Sequence, residues 1–222
     1  MAVHQGARFC STPRALHELA VKRIVRYLIA TKDKGLHLTT SKTFALDMYV
    51  DADFAGRWHR EYSHLRDNVL SRTGYVIVFC GCPVLWASKL QSEIALSSTE
   101  SEYIALSSAT RELLLLRHIL LDIVQHSFIS LPSNEPDTIS THNFSTCLLA
   151  SRVYEDNAAC IVLSTNDASQ FKPRTKHISL KYHHFRDQVL NGTLQIIKVE
   201  TTQNWADIFT KPLGRIKFDY LR

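Results

Sequence analysis

The chain has 222 residues, 45% of them hydrophobic, enough for one full core with a smaller appendage and too few for several domains. Its five cysteines, Cys10, Cys80, Cys82, Cys147 and Cys160, include no CxxC pair, and no signal peptide is recognised, which points to a reducing intracellular setting, cytoplasm or nucleus. The longest apolar run, Leu113 to Val124, is interrupted by Arg117, His118 and Asp122, which argues against a membrane-embedded chain. The formal charge of +5 is unevenly placed: residues 1 to 43 hold eight Lys and Arg against Glu18 and Asp33, a net of +6, so the remainder sums to −1. A basic piece beside an acid-rich remainder suits contact with phosphates, although a solvated basic helix explains the charge equally well.

The first segment carries a start signal at Ser11-Thr12-Pro13, with Thr12 as cap and Pro13 as first helical residue, and a stop at Gly35. Between them Leu16, Leu19, Ala20, Ile24, Tyr27 and Leu28 recur at helical spacing, which predicts one amphipathic helix packed on its apolar face. From Phe44 to Asp51 the period drops to two, which predicts a strand. Gly74 to Cys80 and Val84 to Lys89, joined through Gly81-Cys82-Pro83, read as a hairpin. The polar stretch Phe54 to Thr73 before it is long for a strand connection, so it is functional or an insertion.

A strong helix is expected from about Ser98 to Val124, entered through Ser97-Ser98-Thr99-Glu100-Ser101-Glu102, where two capping boxes overlap. The Ser/Thr/Asn/Pro-rich stretch of about residues 125–151 reads as a loosely ordered insertion. A short strand, Val153 to Glu155, a short helix, Asn157 to Ser164, a basic connector, a helix near Tyr182 to Leu190, a strand from Thr193 to Glu200 and a last helix starting over Trp205 to Thr210 complete the order. That order is α/β, an antiparallel hairpin followed by crossovers, with no internal repeat.

Four carboxylates from four separate segments fall at strand ends or helix starts: Asp51, Glu102, Asp156 and Asp207. Hydrolysis of a phosphodiester needs an activated water and a stabilised leaving oxygen, and two divalent ions about 3.5–4 Å apart supply both. Mg²⁺ takes hard oxygen ligands, so a few Asp and Glu side chains suffice to hold it. Spacing alone makes this a weak signal. Asp53 lies two residues from Asp51 but beyond the predicted strand, where an acid is ordinarily solvated. Glu100 stands three residues after Ser97, as a capping box requires. Glu155 is expected on the opposite side of its strand from Asp156, as a surface or pairing residue. Lys172, Arg174, Lys176, His177, Lys181 and Arg186 form a basic connector suited to phosphates, or simply a solvated loop. His183-His184 and Cys160 fit no standard zinc spacing.

The motifs are more specific than the spacing. Tyr49-Val50-Asp51-Ala52-Asp53-Phe54-Ala55-Gly56, Ser71-Arg72-Thr73-Gly74-Tyr75, Trp86-Ala87-Ser88-Lys89 and Ala95-Leu96-Ser97-Ser98-Thr99-Glu100-Ser101-Glu102-Tyr103 resemble the ribonuclease H domain of copia-type retrotransposon Pol polyproteins. Tyr154-Glu155-Asp156-Asn157, Arg174-Thr175-Lys176-His177-Ile178 and Ala206-Asp207-Ile208-Phe209-Thr210-Lys211-Pro212-Leu213 follow in the family's order. Val3-His4-Gln5, Ala7-Arg8-Phe9 and the helix to Gly35 are similar to the end of that family's reverse transcriptase region. The resemblance covers nearly the whole chain. It implies residues 1–43 as a reverse transcriptase remnant and 44–222 as an RNase H-like domain, a five-stranded mixed sheet flanked by helices.

The resemblance further implies metal ligands at Asp51, Glu102, Asp156 and Asp207, two Mg²⁺ or Mn²⁺ ions, an RNA–DNA hybrid as substrate and the reverse transcriptase portion of the polyprotein as partner. It selects Glu102 over Glu100 as the catalytic glutamate and promotes Asp207, which alone would read as an ordinary first-turn acid. No Tyr-x-Asp-Asp polymerase sequence is present, so DNA synthesis by the chain alone is not expected. Gly6, Ser179 and the insertion after Val124 depart from the family pattern, which leaves open a decayed copy that binds nucleic acid without cutting. An integrase would instead place a glutamate about 35 residues after the second acid, and position 191 is asparagine.

Overall fold

The computed structural model describes residues 2–35, 38–41, 43–56, 58, 60–62, 66–126, 149–165 and 183–222. It divides into two units, Met1–Thr39 and Thr40–Arg222. The smaller unit is a pair of helices, α1 (Ala2–Ala7) and α2 (Ala15–Ala30), in which Phe9 stacks on His17 at 4.1 Å. The expected cap moves: Arg14, extended, precedes α2, and its backbone N–H donates to Nδ1 of His17 at 3.1 Å, so Thr12 and Pro13 lie outside the helix. The helix ends before Gly35, at Thr31, whose hydroxyl donates to the Tyr27 carbonyl at 2.8 Å. Serine and threonine side chains that bond back to the preceding turn compete with helix propagation, which accounts for the earlier stop. No residue of either helix is buried.

The larger unit is built on β1 (Ala45–Asp53), β2 (Arg72–Phe79), β3 (Cys82–Leu90), β4 (Ala150–Glu155) and β5 (Gln195–Lys198), in the spatial order β3-β2-β1-β4-β5. β1 to β3 form an antiparallel meander, and β4 and β5 add in parallel on the other side of β1. This is the five-stranded mixed sheet that the sequence resemblance implies. The hairpin closes through Cys80 and Gly81, both with positive φ (49° and 83°), as a two-residue type I′ turn requires. A bulge at Ile77/Val78 accommodates Val84, and Pro83 is tolerated because β3 is an edge strand.

Strand parity sorts the side chains. Leu46, Met48, Val50 and Ala52 of β1, Tyr75 and Ile77 of β2, and Val153 of β4 form the core with Tyr103, Ile104, Leu106, Ala109 and Leu113 of the long helix α4 (Ser98–His126). α4 starts where the sequence places it: Ser97 Oγ accepts from the Glu100 N–H at 3.1 Å, and Glu100 Oε2 accepts from the Leu96 N–H at 2.7 Å. The stretch before β2 is not structureless, since it holds a 3₁₀ turn (Arg60–Tyr62) and a one-turn helix, α3 (Arg66–Val69). Residues 127–148 of the expected insertion lie outside the described residues, and β4 already begins at Ala150.

α5 (Ala158–Thr165) opens on Asn157, whose Oδ1 accepts from the Cys160 N–H at 2.9 Å. α6 (Arg186–Leu190) and β5 are both shorter than their sequence patterns. The last expected helix is two pieces, α7 (Asp207–Thr210) and α8 (Arg215–Leu221), separated by Pro212, whose ring and missing N–H end a helix. The connector residues Lys172, Arg174, Lys176 and His177 lie outside the described residues.

Candidate metal centre

β1 and β4 run parallel, so their C-terminal ends deliver acids to the same end of the sheet. Asp51 is near the end of β1, Glu155 is the last residue of β4, and Asp156 follows it. α4 crosses above and supplies Glu102 from its second turn. One carboxylate oxygen each of Asp51, Glu102 and Asp156 lie within 4.8 Å of one another. Three of the four acids singled out in the sequence therefore converge from three separate elements.

Asp207, the fourth, is not part of that group but stands behind Asp51. It opens α7, which packs on the face of the sheet opposite the core. Asp51 pairs in register with Gly74, and a Cβ on Gly74 would meet Thr210 Cγ2 at 2.6 Å, Phe209 Cβ at 2.8 Å and the Ala206 carbonyl at 3.1 Å. Glycine there lets α7 approach Asp51 closely. The segment leading into α7 is tied down on both sides. Buried Asn204 donates from Nδ2 to the Val50 carbonyl at 2.8 Å, Trp205 stacks on Tyr49 at 4.6 Å, and the Ser88 hydroxyl donates to the Phe209 carbonyl at 2.5 Å.

That placement brings three groups to bear on Asp51 and Asp207 through four hydrogen bonds. Lys211 Nζ donates to Asp51 Oδ1 at 2.8 Å and to Asp207 Oδ1 at 2.7 Å. The Thr210 hydroxyl donates to Asp51 Oδ2, and Lys217 Nζ to Asp207 Oδ2. Both aspartates are fully buried. Burial raises the Asp51 carboxyl pKa against the opposing pull of Lys211 and Thr210. Burial also works to lower Lys211, but the charges of Asp51 and Asp207 outweigh it and its ammonium ends above its ordinary pKa.

Among the described residues, no cation is hydrogen-bonded to Glu102 or Glu155 as Lys211 and Lys217 are to the aspartates. Glu155 was expected at the surface, yet it is fully buried: it shares the parity of Ser151 and Val153, so it faces inward under α4. Its Oε1 accepts from the Asn157 N–H at 3.0 Å, while Oε2 of Glu155 and Oε2 of Glu102 are buried without a hydrogen-bond partner among the described residues. Burial first, and then the neighbouring carboxylates, push both side chains well above the usual carboxylate range. Asp53, expected in a loop, is instead the last residue of β1.

A buried acceptor without a donor costs about 1–3 kcal/mol, more when charged, and converging carboxylates add their mutual repulsion. A divalent cation with hard oxygen ligands relieves both terms at once. The donor set fits such an ion, with Asp51, Glu102 and Asp156 as ligands and Glu155 beside them. Sequence reasoning missed Glu155, which the alternation through Val153 would have turned inward. It also missed Lys211, whose signal is its helical i,i+4 spacing from Asp207.

No protein-family model matches the chain. It is 32% identical over 217 residues to the Retrovirus-related Pol polyprotein from transposon RE2 of Arabidopsis thaliana, an alignment covering 98% of the chain and 13% of that protein. It is 35% identical over 218 residues to the Retrovirus-related Pol polyprotein from transposon TNT 1-94 of Nicotiana tabacum, covering 98% of the chain and 14% of that protein. The chain thus spans only a small part of these relatives. Among solved structures, LC11-RNase H1 isolated from compost aligns over 76% of this chain and 94% of its own, with TM-score 0.48 and 16% identity. Among the described residues no helix is long and apolar enough to cross a membrane.

Proposed function

We propose that this chain is part of a copia-type retrotransposon Pol polyprotein, to which it is similar over 98% of its length, and that its larger unit is a ribonuclease H that hydrolyses the RNA strand of an RNA–DNA hybrid. The observation that carries the reading is the convergence of Asp51, Glu102 and Asp156 within 4.8 Å beside carboxylate oxygens that lack a donor among the described residues. Those three residues would hold Mg²⁺ or Mn²⁺. When bound, the ion activates a water and stabilises the leaving oxygen of a phosphodiester.

The chain's own residues prepare that chemistry. Thr210 and Lys211 fix both oxygens of Asp51 in place, which is the rigid support a ligand carboxylate needs. Glu155, fully buried beside these acids, is a further carboxyl group whose ionised form a bound cation would favour. Lys172, Arg174, Lys176 and His177 of the connector would grip phosphates of the hybrid, a contact that holds the backbone without reading sequence. Residues 1–39 would be the end of a reverse transcriptase region, making the rest of the polyprotein the partner.

The test is cleavage of a labelled RNA–DNA hybrid with Mg²⁺ or Mn²⁺, beside an Asp51→Asn, Asp156→Asn double variant. Cutting of the RNA strand by the wild type alone is the expected result. If neither protein cuts but both bind hybrid, the fold has been retained as a binding module and the nuclease reading fails.

A further inference from the structure

We propose that Lys211 is the resident cation of the Asp51 and Asp207 half of the site, so that the chain holds one divalent ion on Asp51, Glu102 and Asp156 and takes a second only when that lysine is displaced. The inference rests on the reading of these acids as a metal centre, and it departs from the expectation of two ions shared among four carboxylates.

The two halves of the site are unequally supplied with positive charge. On one side, Glu102 Oε2 and Glu155 Oε2 are buried with no donor among the described residues. On the other, both oxygens of Asp207 are taken, Oδ1 by Lys211 at 2.7 Å and Oδ2 by Lys217. The same Lys211 ammonium reaches Asp51 Oδ1 at 2.8 Å, so it bridges the two aspartates where a second ion would have to bind both.

Its position is set by the backbone. Lys211 closes the single turn of α7, with its N–H donating to the Asp207 carbonyl at 3.0 Å, and that turn is seated on Gly74. Lys217 is held independently by the Thr201 carbonyl at 3.2 Å. An ion entering between Asp51 and Asp207 would face an ammonium at hydrogen-bonding range. Like charges that close, in a partly buried site, repel strongly. Lys211 thus acts through the two aspartates: it holds their carboxylates as their cation and limits the number of ions.

The test is calorimetric titration of the metal-free full chain with Mn²⁺, reading ion stoichiometry and affinity, for the wild type, Lys211→Met, Lys211→Gln, Lys211→Arg and Glu102→Gln. The wild type and Lys211→Arg are expected to take one ion per chain. Lys211→Met is expected to take two, with the first bound about tenfold tighter or more because a nearby like charge is gone. Lys211→Gln, which keeps hydrogen-bonding capacity, gives the same answer if the methionine variant does not fold. Two ions on the wild type, or unchanged stoichiometry and affinity in both neutral variants, overturn the role of Lys211. In those cases, weakened binding by Glu102→Gln leaves the metal-centre reading standing. Absence of binding by every protein removes that reading and this inference with it.

Discussion

Gly74→Ala tests whether the contact of α7 with the sheet is what builds the site. The added Cβ would lie 2.8 Å from Phe209 Cβ and 3.1 Å from the Ala206 carbonyl, neither of which is the far end of a flexible side chain. Relief requires α7 to move by roughly 1 Å, since carbon atoms in contact sit about 3.5–4.0 Å apart. Overpacking of this kind costs about 1–3 kcal/mol. The same displacement pulls Thr210 and Lys211 from the buried Asp51 carboxylate, adding about 1–3 kcal/mol for acceptors left without donors. For a unit of this size each kcal/mol lowers the melting temperature by about 2–4 °C, so a fall of roughly 5–15 °C is expected by circular dichroism. Thr210→Ser keeps the hydroxyl on Asp51 but deletes Cγ2, the atom 2.6 Å from the new Cβ. In the Gly74→Ala background it should restore part of the loss, a non-additivity that only contacting sites show. A melting temperature of Gly74→Ala within about 2 °C of the wild type would refute the close-approach argument.

Further outcomes follow from the buried charges. Glu102 and Glu155 have folded pKa values raised above their unfolded ones, so folding disfavours their ionised forms. Stability of the metal-free chain is then full below the ordinary carboxylate range and is lost as pH rises through the folded values. Melting measured in a chelator should fall as pH rises above the ordinary carboxylate range, and millimolar Mg²⁺ should reverse most of that fall. Glu155→Gln should raise the urea midpoint of the metal-free chain at neutral pH and flatten its pH dependence; a destabilised variant would count against an uncompensated charge there. Cys160 is fully buried, and burial, then Glu155 and Glu102, push its thiol well above its ordinary pKa. A maleimide followed by peptide mapping should label exposed Cys10 at once and Cys160 only on unfolding, since the thiolate is the reactive form.

Much of the larger unit is legible in the sequence because its periods are clean. Leu46, Met48 and Val50 alternate, the Cys80-Gly81 hairpin is bounded by β-rich runs, and Ser97 with Glu100 announces the start of α4. The N-terminal helix was harder: Ser11-Thr12-Pro13 carries the stronger cap signal, but His17 reaching back to Arg14 sets the actual start. Proline at position 212 divides the end of the chain into two short helices where a single pattern had been read. Each of these misses is a case of one local hydrogen bond or one missing N–H overriding composition.

Glu155 and Lys211 escape for a different reason, which concerns how the two faces of the sheet meet. Parity places Asp51 on the face covered by α7 and Glu155 on the face covered by α4, so a reader of either strand alone assigns the two acids to opposite sides. Both belong to one site because the parallel strands β1 and β4 end together, and past the ends of strands the distinction between faces disappears. Asp156, just beyond β4, and Glu102, from the helix crossing above, fill that space. Crevices at the carboxyl ends of parallel strands are where open α/β sheets bind ligands in general. α7 then determines which part of the acid cluster is hydrogen-bonded to a cation: it brings the Lys211 ammonium onto Asp51 and Asp207, not onto Glu102 or Glu155. The division between a neutralised half and a half with unpartnered oxygens is therefore a consequence of Gly74 and of four residues of helix, features whose meaning appears only when the chain is folded.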